Sequence, residues 1–471
     1  MSNEQENNDG YPAVPTNLEK LAGFATRCAC GKIHSIDIQK FGIGEGAIGH
    51  VGELANSLIT VKKAGLVADA ITLSVAGHDV QERLQSSGFE VTLCVVPDGE
   101  GGRPHATYET VLDVERQLHQ TDFIVAVGSG TINDLGKLAS YRLGIPYLVV
   151  ATAPSMNGYT SAIAAIMKDG LKQTVDCHQP VAVIADIDIL KRAPAHLVQA
   201  GLGDLESKPV STADFMLSSL LRGTYYCPVP GQVVAEAEAR AAACAADLAH
   251  GDIHAIRVLT EALLLSGCSM KLAGSSSPAS GGEHLISHYW DMTAQNENRV
   301  EGFHGAQVGV ATIVTATLYE YLRQLSPDSI DIDTLVSTRL SAADERRAVI
   351  KRHGVFGELA ADEMQQKRLD DDAYRFELEY VKSHWDDIWK SLSMLKSAAE
   401  IRAVLQAAQC PVTVEALGLS DAQLKYSFLH AREIRGRFTV LDFAADLGVH
   451  GNAAAQVLSD SHCLSGNGKE L

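Results

Sequence analysis

Asp204 in GLGDLESK, His284 and His288 in GGEHLISH, and His304 in FHGAQVG together offer a carboxylate and imidazoles. A buried Asp with two imidazoles leaves coordination positions open for water or substrate, the arrangement of a catalytic divalent-metal site. His284 and His288 are spaced i, i+4 on one helical face, but HLISH lacks the Glu of the HExxH protease motif. The chain has 17 histidines, so ordinary packed or surface histidines remain the competing account.

A second group follows the apolar run FIVAV: Gly128, Ser129, Gly130, Thr131, Ile132, Asn133 and Asp134, leading into a helix through Lys137 and Leu138. Glycines between a strand and a helix let backbone N–H groups approach an anion, and the helix dipole adds to the attraction. The segment reads as a phosphate cradle, or as a plain tight turn; it is not the GxGxxG fingerprint. The next apolar run ends in Thr152, Ala153, Pro154, Ser155, Met156, Asn157, Gly158, Tyr159, Thr160 and Ser161. In a parallel sheet the carboxyl ends of neighbouring strands line one crevice, so this polar loop is expected to face the same ligand as the glycines. Cys28, Cys30 and His34 form a CxCxxxH triplet with no clear fourth ligand in the sequence, and local packing is the expectation for it.

The elements that must position these groups divide the chain. AITLSV (70–75), VTLCVV (91–96), FIVAV (123–127), YLVVAT (147–152) and VAVIADI (181–187) read as buried strands, with helices over 79–87 and 106–119. Continuous apolar strands joined by helical crossovers predict a parallel α/β sheet covered on both faces. After Gly203 long helical patterns run over 233–272, 304–325, 335–352, 372–405 and 420–448. The expected organisation is a leader over 1–18, a Rossmann-like α/β domain over 19–205, an all-helical domain over 206–458 and a flexible tail over 459–471. The Gly/Ser-rich piece GSSSPASGG (274–282) is the one internal loop expected to be flexible.

With 39 Lys+Arg against 58 Asp+Glu the formal charge is −19, and the basic residues are scattered, which argues against a nucleic-acid partner. No run approaches the roughly 18 consecutive apolar residues of a bilayer span, and Met1 to Gly10 is polar and acidic, so a cytoplasmic chain without a membrane partner is expected. Nine cysteines spread along the chain argue for reduced thiols rather than a disulfide framework.

Taken in order and spacing, GSGTINDLGK, TAPSMNGYTS, GLGDLESK, GGEHLISH and HGAQVG resemble the sn-glycerol-1-phosphate dehydrogenases of the iron-dependent alcohol dehydrogenase and dehydroquinate synthase superfamily, most closely the bacterial branch. The likeness runs from CACGKIH at 28–34 to REIRGRFTVLDFAADLG at 432–448. It implies a dehydroquinate synthase-like fold and reduction of dihydroxyacetone phosphate to sn-glycerol 1-phosphate with NADH or NADPH. By residue, it implies that Gly130, Thr131, Ile132, Asn133 and Asp134 contact the dinucleotide, with Thr152, Ala153, Pro154, Ser155 and Ser161, and Asp69 on the adenosine side. Asp204, His284 and His304 match the metal ligands, for Zn²⁺ or Ni²⁺, with His288 outside them. Asp204 and the position of Asn157 match substrate contacts; the family often has Asp there, and Asn157 removes a charge beside an anionic substrate. Lys208, on the helix after Asp204, is the cation expected at the phosphate. A homo-oligomer, dimer or larger, is expected. The competing functions are a glycerol or other polyol dehydrogenase, a dehydroquinate synthase-like cyclase, whose acidic ligand is usually Glu, and a silent binding protein on the same fold.

Overall fold

In the computed structural model the described residues are 11–99, 101–168, 171–294, 297, 299–300 and 302–466. The expected leader therefore lies outside them as far as residue 10, and the expected tail from residue 467. The strands are β1 (Ala25–Arg27), β2 (Ile33–Ser35), β3 (Lys40–Gly44), β4 (Lys63–Asp69), β5 (Glu90–Val96), β6 (Phe123–Gly128), β7 (Tyr147–Ala151), β8 (Ile163–Lys168), β9 (Leu171–Asp176) and β10 (Ala182–Asp186). The backbone clusters into two compact units. One comprises 1–205, 227–276 and 407–409; the other comprises 206–226, 277–406 and 410–471.

The first unit is built on a six-stranded sheet in the order β3-β10-β7-β6-β4-β5, parallel throughout. Every residue of β6, β7 and β10 is buried, as a sheet with both faces covered requires. Leu66, Phe123, Val125, Val127, Leu148, Val150 and Ile184 form the core on one face. The order reverses at β4: its successor β5 pairs on one side and β6 on the other. At such a reversal the following helices leave on opposite faces, opening a crevice outside the carboxyl ends of the strands. Asp69 ends β4 and Gly128 ends β6, so both border that crevice.

The strand predicted over 70–75 is helical instead. The strand is KAGLVAD, and Asp69 closes a capping box with Thr72: its carboxylate accepts from Thr72 N–H at 2.7 Å and Thr72 Oγ1 accepts from Asp69 N–H at 3.0 Å. A local cap outweighs the β-branched composition of AITLSV and starts the helical stretch at Ala70, ahead of the helix expected over 79–87. The hairpin β1–β2 and the edge strand β3, KFGIG, carry little continuous apolar signal and were not expected from the sequence; nor was β8–β9, although β8, IAAIMK, is an apolar run.

Helices Val229–Ala243 and Ile253–Ala273 lie in the expected C-terminal stretch but pack with the first unit. Ile253–Ala273 has the length and hydropathy of a membrane-crossing helix, yet 78% of that window is buried. It is a core helix, and Gly267 lets its backbone touch the loop after β7: a Cβ there would lie 2.0 Å from Thr160 Oγ1 and 2.2 Å from Asn157 O. Gly201, in helix Ala195–Leu205, meets the same loop, with Pro154 O 1.9 Å from where its Cβ would be.

The second unit is built of helices and loops, with no strand among its described residues. It includes Lys208–Arg222, Gly282–Ala294, His304–Arg323 and Val440–Asp446. Residues 459–466 are held rather than frayed: Cys463 is buried, its carbonyl accepts from Val414 N–H at 2.9 Å, and Ser465 Oγ bonds Asp421 at 2.7 Å. The Ser-rich loop is likewise held from Ser277 onward, where Pro278 O accepts from Ser211 Oγ at 3.0 Å and Ala279 O from Lys208 Nζ at 3.1 Å.

Gly267→Ala should cost roughly 3 kcal/mol in denaturant unfolding, because a backbone carbonyl and not a flexible side-chain end must yield. Gly451→Ala, on a helix where nothing lies within 4 Å of the added carbon, should be neutral or stabilising by up to about 1 kcal/mol.

Candidate active site

The cradle forms where β6 turns into helix Gly130–Leu143. Ser129 caps that helix in extended conformation, its Oγ 2.7 Å from Gly130 N and 2.8 Å from Ser155 Oγ, so the glycine turn is tied to the loop after β7. Thr152 N–H donates to Gly128 O at 3.1 Å and reinforces that tie. The two glycines serve different purposes. A Cβ on Gly128 would strike Ile132 at 2.5 Å, whereas one on Gly130 would meet only Met156, at 3.7 Å. Gly128 is required by packing inside the protein; Gly130 borders open space at a helix N-terminus, where N–H groups and dipole favour an anion.

The loop after β7 is shaped by internal bonds. Tyr159 donates to Ala153 O at 2.7 Å and Thr160 Oγ1 to Leu264 O at 2.6 Å. Lys137, not among the expected site residues, is fully buried, with Nζ donating to Gly158 O at 2.6 Å, Ile163 O at 2.8 Å and Ser161 Oγ at 3.1 Å. Burial pushes its pKa down, opposed by the carboxylate of Asp134, 3.7 Å away. Its one signal in the sequence is a Lys two turns into the helix after the glycines. Among the predicted dinucleotide contacts, Ser161 is enclosed beside this ammonium, and Asp134 accepts from Ala165 N–H at 3.0 Å, bracing β8. Asn133 is buried and donates to Gly158 O at 3.3 Å.

Asp204 closes helix Ala195–Leu205 and is 1% exposed. Asn157 donates to it twice, from its backbone N–H to Oδ2 at 3.1 Å and from Nδ2 to Oδ1 at 3.4 Å, while Nδ2 also reaches Ser266 Oγ at 3.2 Å. An Asp at 157 would set carboxylate against carboxylate at that distance; Asn converts the repulsion into a donated bond.

In the second unit His284, His288 and His304 converge, with ring centroids 5.2 Å apart for His284–His304, 5.3 Å for His288–His304 and 6.1 Å for His284–His288. His284 and His304 each have Nδ1 engaged. Glu283 Oε1 holds Nδ1 of His284 at 2.7 Å, and Ser287 Oγ, which donates to Gln307 Oε1 at 2.9 Å, accepts from Nδ1 of His304 at 3.1 Å. Both rings are thereby set in the tautomer that carries its lone pair on Nε2, the arrangement of metal-ligating histidines braced by a carboxylate or hydroxyl. The donor chemistry fits a divalent cation. Glu283 and Ser287 were missed in the sequence because neither belongs to a ligand spacing, though Glu283 stands directly before His284.

Glu283 is buried, which works to raise its pKa, but His284 and the Gly281 N–H group take it below the usual range. Asp214 nearby is pushed up to about 7 by burial and by the charge of Glu283; it accepts from Gly282 N–H and Val440 N–H, both at 2.7 Å, and from Tyr319. Lys208 is buried, with Nζ 3.0 Å from Ser207 Oγ in addition to Ala279 O. Asp204 and the predicted dinucleotide contacts lie in the first unit, and Lys208, His284 and His304 in the second.

Comparison with known proteins agrees with this fold. Residues 42–194 match the family described as iron-containing alcohol dehydrogenase. The chain is 36% identical over 310 residues to a glycerol-1-phosphate dehydrogenase [NAD(P)+] of Halalkalibacterium halodurans, covering 64% of this chain and 76% of that one. A relative of the same name from Geobacillus stearothermophilus is 30% identical over 434 residues, 91% of this chain and 98% of that one. Among solved structures, glycerol dehydrogenase from Schizosaccharomyces pombe superposes with a TM-score of 0.57 at 18% identity, over 92% of this chain and 95% of that one, a likeness of fold.

The helix carrying His284 is buttressed by Tyr289, whose hydroxyl lies 3.2 Å from His353 Nδ1, while His353 Nε2 and Arg352 each lie 2.5 Å from Glu433. Burial works to raise the Glu433 pKa, but His353, His430 and Arg352 outweigh it and hold the carboxyl far below its usual range. A depressed folded-state pKa means the stabilisation is complete above the unfolded value of about 4.3 and is lost as pH falls toward the folded value. Glu433→Gln should therefore cost on the order of 3 kcal/mol at neutral pH. Denaturant unfolding against pH should show that difference shrinking below about pH 4.3.

Proposed function

Because the chain belongs to the iron-containing alcohol dehydrogenase superfamily, we propose that it catalyses metal-dependent, NAD(P)-linked interconversion of dihydroxyacetone phosphate and sn-glycerol 1-phosphate. The observation that carries this reading is the pair of histidines, His284 and His304, each held through Nδ1 so that Nε2 bears the lone pair. The names of the relatives support the phosphorylated three-carbon substrate.

We assign Asp204, His284 and His304 as the ligands of one Zn²⁺ or Ni²⁺. When bound, the cation supplies polarisation of the ketone oxygen and the nicotinamide supplies the hydride. The chain's own groups do the positioning. Asn157 orients Asp204 through two donated bonds. The Gly130 turn and the loop Thr152–Ser155, locked together by Ser129 and Ser155, receive the pyrophosphate at the start of helix Gly130–Leu143, and Asp69 lies at the neighbouring strand end for the adenosine side. Thr131 and Ile132 lie in the first turn of that helix and offer backbone N–H groups. Lys208 is assigned to the substrate phosphate, a dianion that requires a cation.

NADH and NADPH oxidation with dihydroxyacetone phosphate, with and without added Ni²⁺ or Zn²⁺, followed by chiral analysis of the product, tests the activity. His304→Ala should lose bound metal and most turnover, whereas His288→Ala should lower activity by roughly 10 to 100-fold. Gly130→Val should weaken nucleotide binding in a folded protein with its metal content intact, since its side chain enters the open space beside Met156. Dihydroxyacetone phosphate should exceed dihydroxyacetone in kcat/KM by a large factor, and Lys208→Ala should narrow that gap. Equal loss on both ketones would make Lys208 a brace for the Ala279 turn, and a preference for glycerol would indicate a polyol dehydrogenase.

A further inference from the structure

The CxCxxxH triplet acquires a fourth partner from a distant part of the chain. Cys28 and Cys30 lie in the turn between β1 and β2, His34 lies in β2, and Cys227 stands just before helix Val229–Ala243, where the chain re-enters the first unit. Their ligand atoms all lie within 4.8 Å of one another. Cys28 Sγ is 3.8 Å from Cys227 Sγ, and His34 Nε2 is 3.5 Å from Cys30 Sγ and 3.4 Å from Cys227 Sγ.

These separations can be compared with the edges of a coordination tetrahedron. Metal–sulfur bonds of about 2.3 Å and a metal–nitrogen bond of about 2.0 to 2.1 Å at tetrahedral angles require S···S edges of about 3.8 Å and S···N edges of about 3.5 Å. The observed spacings meet both. A disulfide is not formed, since 3.8 Å is far beyond the bond of about 2.05 Å. His34 is buried and its Nδ1 lies 2.6 Å from Leu272 O. A carbonyl only accepts, so Nδ1 carries the proton and the lone pair on Nε2 faces the sulfurs, oriented as ligating histidines are by a partner on the far nitrogen.

The hairpin draws little support from its own strands. Its two strands are three residues each, pairing Ala25↔Ser35, Thr26↔His34 and Arg27↔Ile33, and Ile33 is 65% exposed. A two-stranded ribbon of that length with so little apolar burial is not stable by itself. Beyond the cluster it is anchored at the end of helix Ile253–Ala273, where Lys32 Nζ donates to Ala273 O at 2.9 Å, a cation at a helix C-terminus. Gly31, with φ +87°, permits the tight turn that brings Cys28 and Cys30 to the same side.

We propose that Cys28, Cys30, His34 and Cys227 bind a structural Zn²⁺ that clips the β1–β2 hairpin to the segment before helix Val229–Ala243. Three thiolates and an imidazole select zinc over harder cations, and four protein ligands leave no open position, so this ion does no chemistry on substrate. It is separate from the cation assigned to Asp204, His284 and His304, a set without sulfur.

That difference makes the test specific. The full-length protein, purified anaerobically and stripped of metal, is titrated with Co²⁺ while the near-ultraviolet thiolate-to-cobalt charge-transfer band is followed. The band should saturate at one equivalent per chain, persist in His304→Ala, and vanish in Cys30→Ser and Cys227→Ser. Zinc-loaded wild-type protein should release one equivalent on blocking its thiols with a mercurial, a readout that needs no variant to fold. Absence of the band in folded wild-type protein, its persistence in Cys227→Ser, or a Cys28–Cys227 disulfide in anaerobically purified protein would overturn the proposal. Loss of activity in His304→Ala with this band intact keeps the two sites distinguishable.

Discussion

The buried ammonium of Lys137 is the interaction on which the shape of the loop after β7 depends. It comes from the helix that starts at the glycine turn, and it ends on the carbonyls of Gly158 and Ile163 and the hydroxyl of Ser161, in the loop leaving β7. A charge withdrawn from water is tolerated only when its donors are satisfied, and here three oxygens and the nearby Asp134 carboxylate do so. The same loop has its far side against helix backbones that Gly201 and Gly267 leave bare. Held from both sides, it can present Asn157 to Asp204 at fixed distance. The ammonium adds to the bonds of Tyr159, Thr160 and Ser155 that already restrict the loop to one shape.

The second unit solves a related problem for its histidines with a buried carboxylate pair. Glu283 must remain ionised to hold Nδ1 of His284, yet it lies near Asp214 in the interior. The conflict is resolved by dividing the protons: His284 stabilises the charge on Glu283, while burial and that charge move Asp214 up to about 7, where donors from Gly282, Val440 and Tyr319 surround it. Arg437, whose guanidinium reaches Ser280 O, adds a positive charge that favours Glu283. The residues that set the Nε2 lone pairs of His284 and His304 are therefore mostly outside the proposed ligand set, and they come from four different helical segments.

Much was legible beforehand because it is local. Continuous apolar runs identify β6, β7 and β10, since a strand buried on both faces has no polar position to spare, and the run VTLCVV identifies β5 although that strand lies at the sheet edge with only Cys94 and Val96 buried. The glycine turn after β6 and the histidines at i, i+4 are also visible as spacing alone. The strand placed over 70–75 failed for a local reason too: the side chain of Asp69 begins a helix that composition disfavours. The weak edge strand β3 and the short hairpin β1–β2 lacked any periodic signal that could outweigh their glycines and polar residues.

The sequence by itself determined the α/β-then-helix order, the acidic surface, the candidate ligands and the family resemblance, all properties of residues close together or of motifs in series. Only the tertiary structure decided what those residues touch. Cys227 completes the Cys28–Cys30–His34 cluster across 193 residues from His34, Ser266 joins Asn157 across 109, and Lys208 meets the Ala279 carbonyl across 71. It also returned helices Val229–Ala243 and Ile253–Ala273 to the first unit. The physical reason is that contacts across such separations are selected by how helices and sheet close-pack as a whole, and no local propensity encodes them.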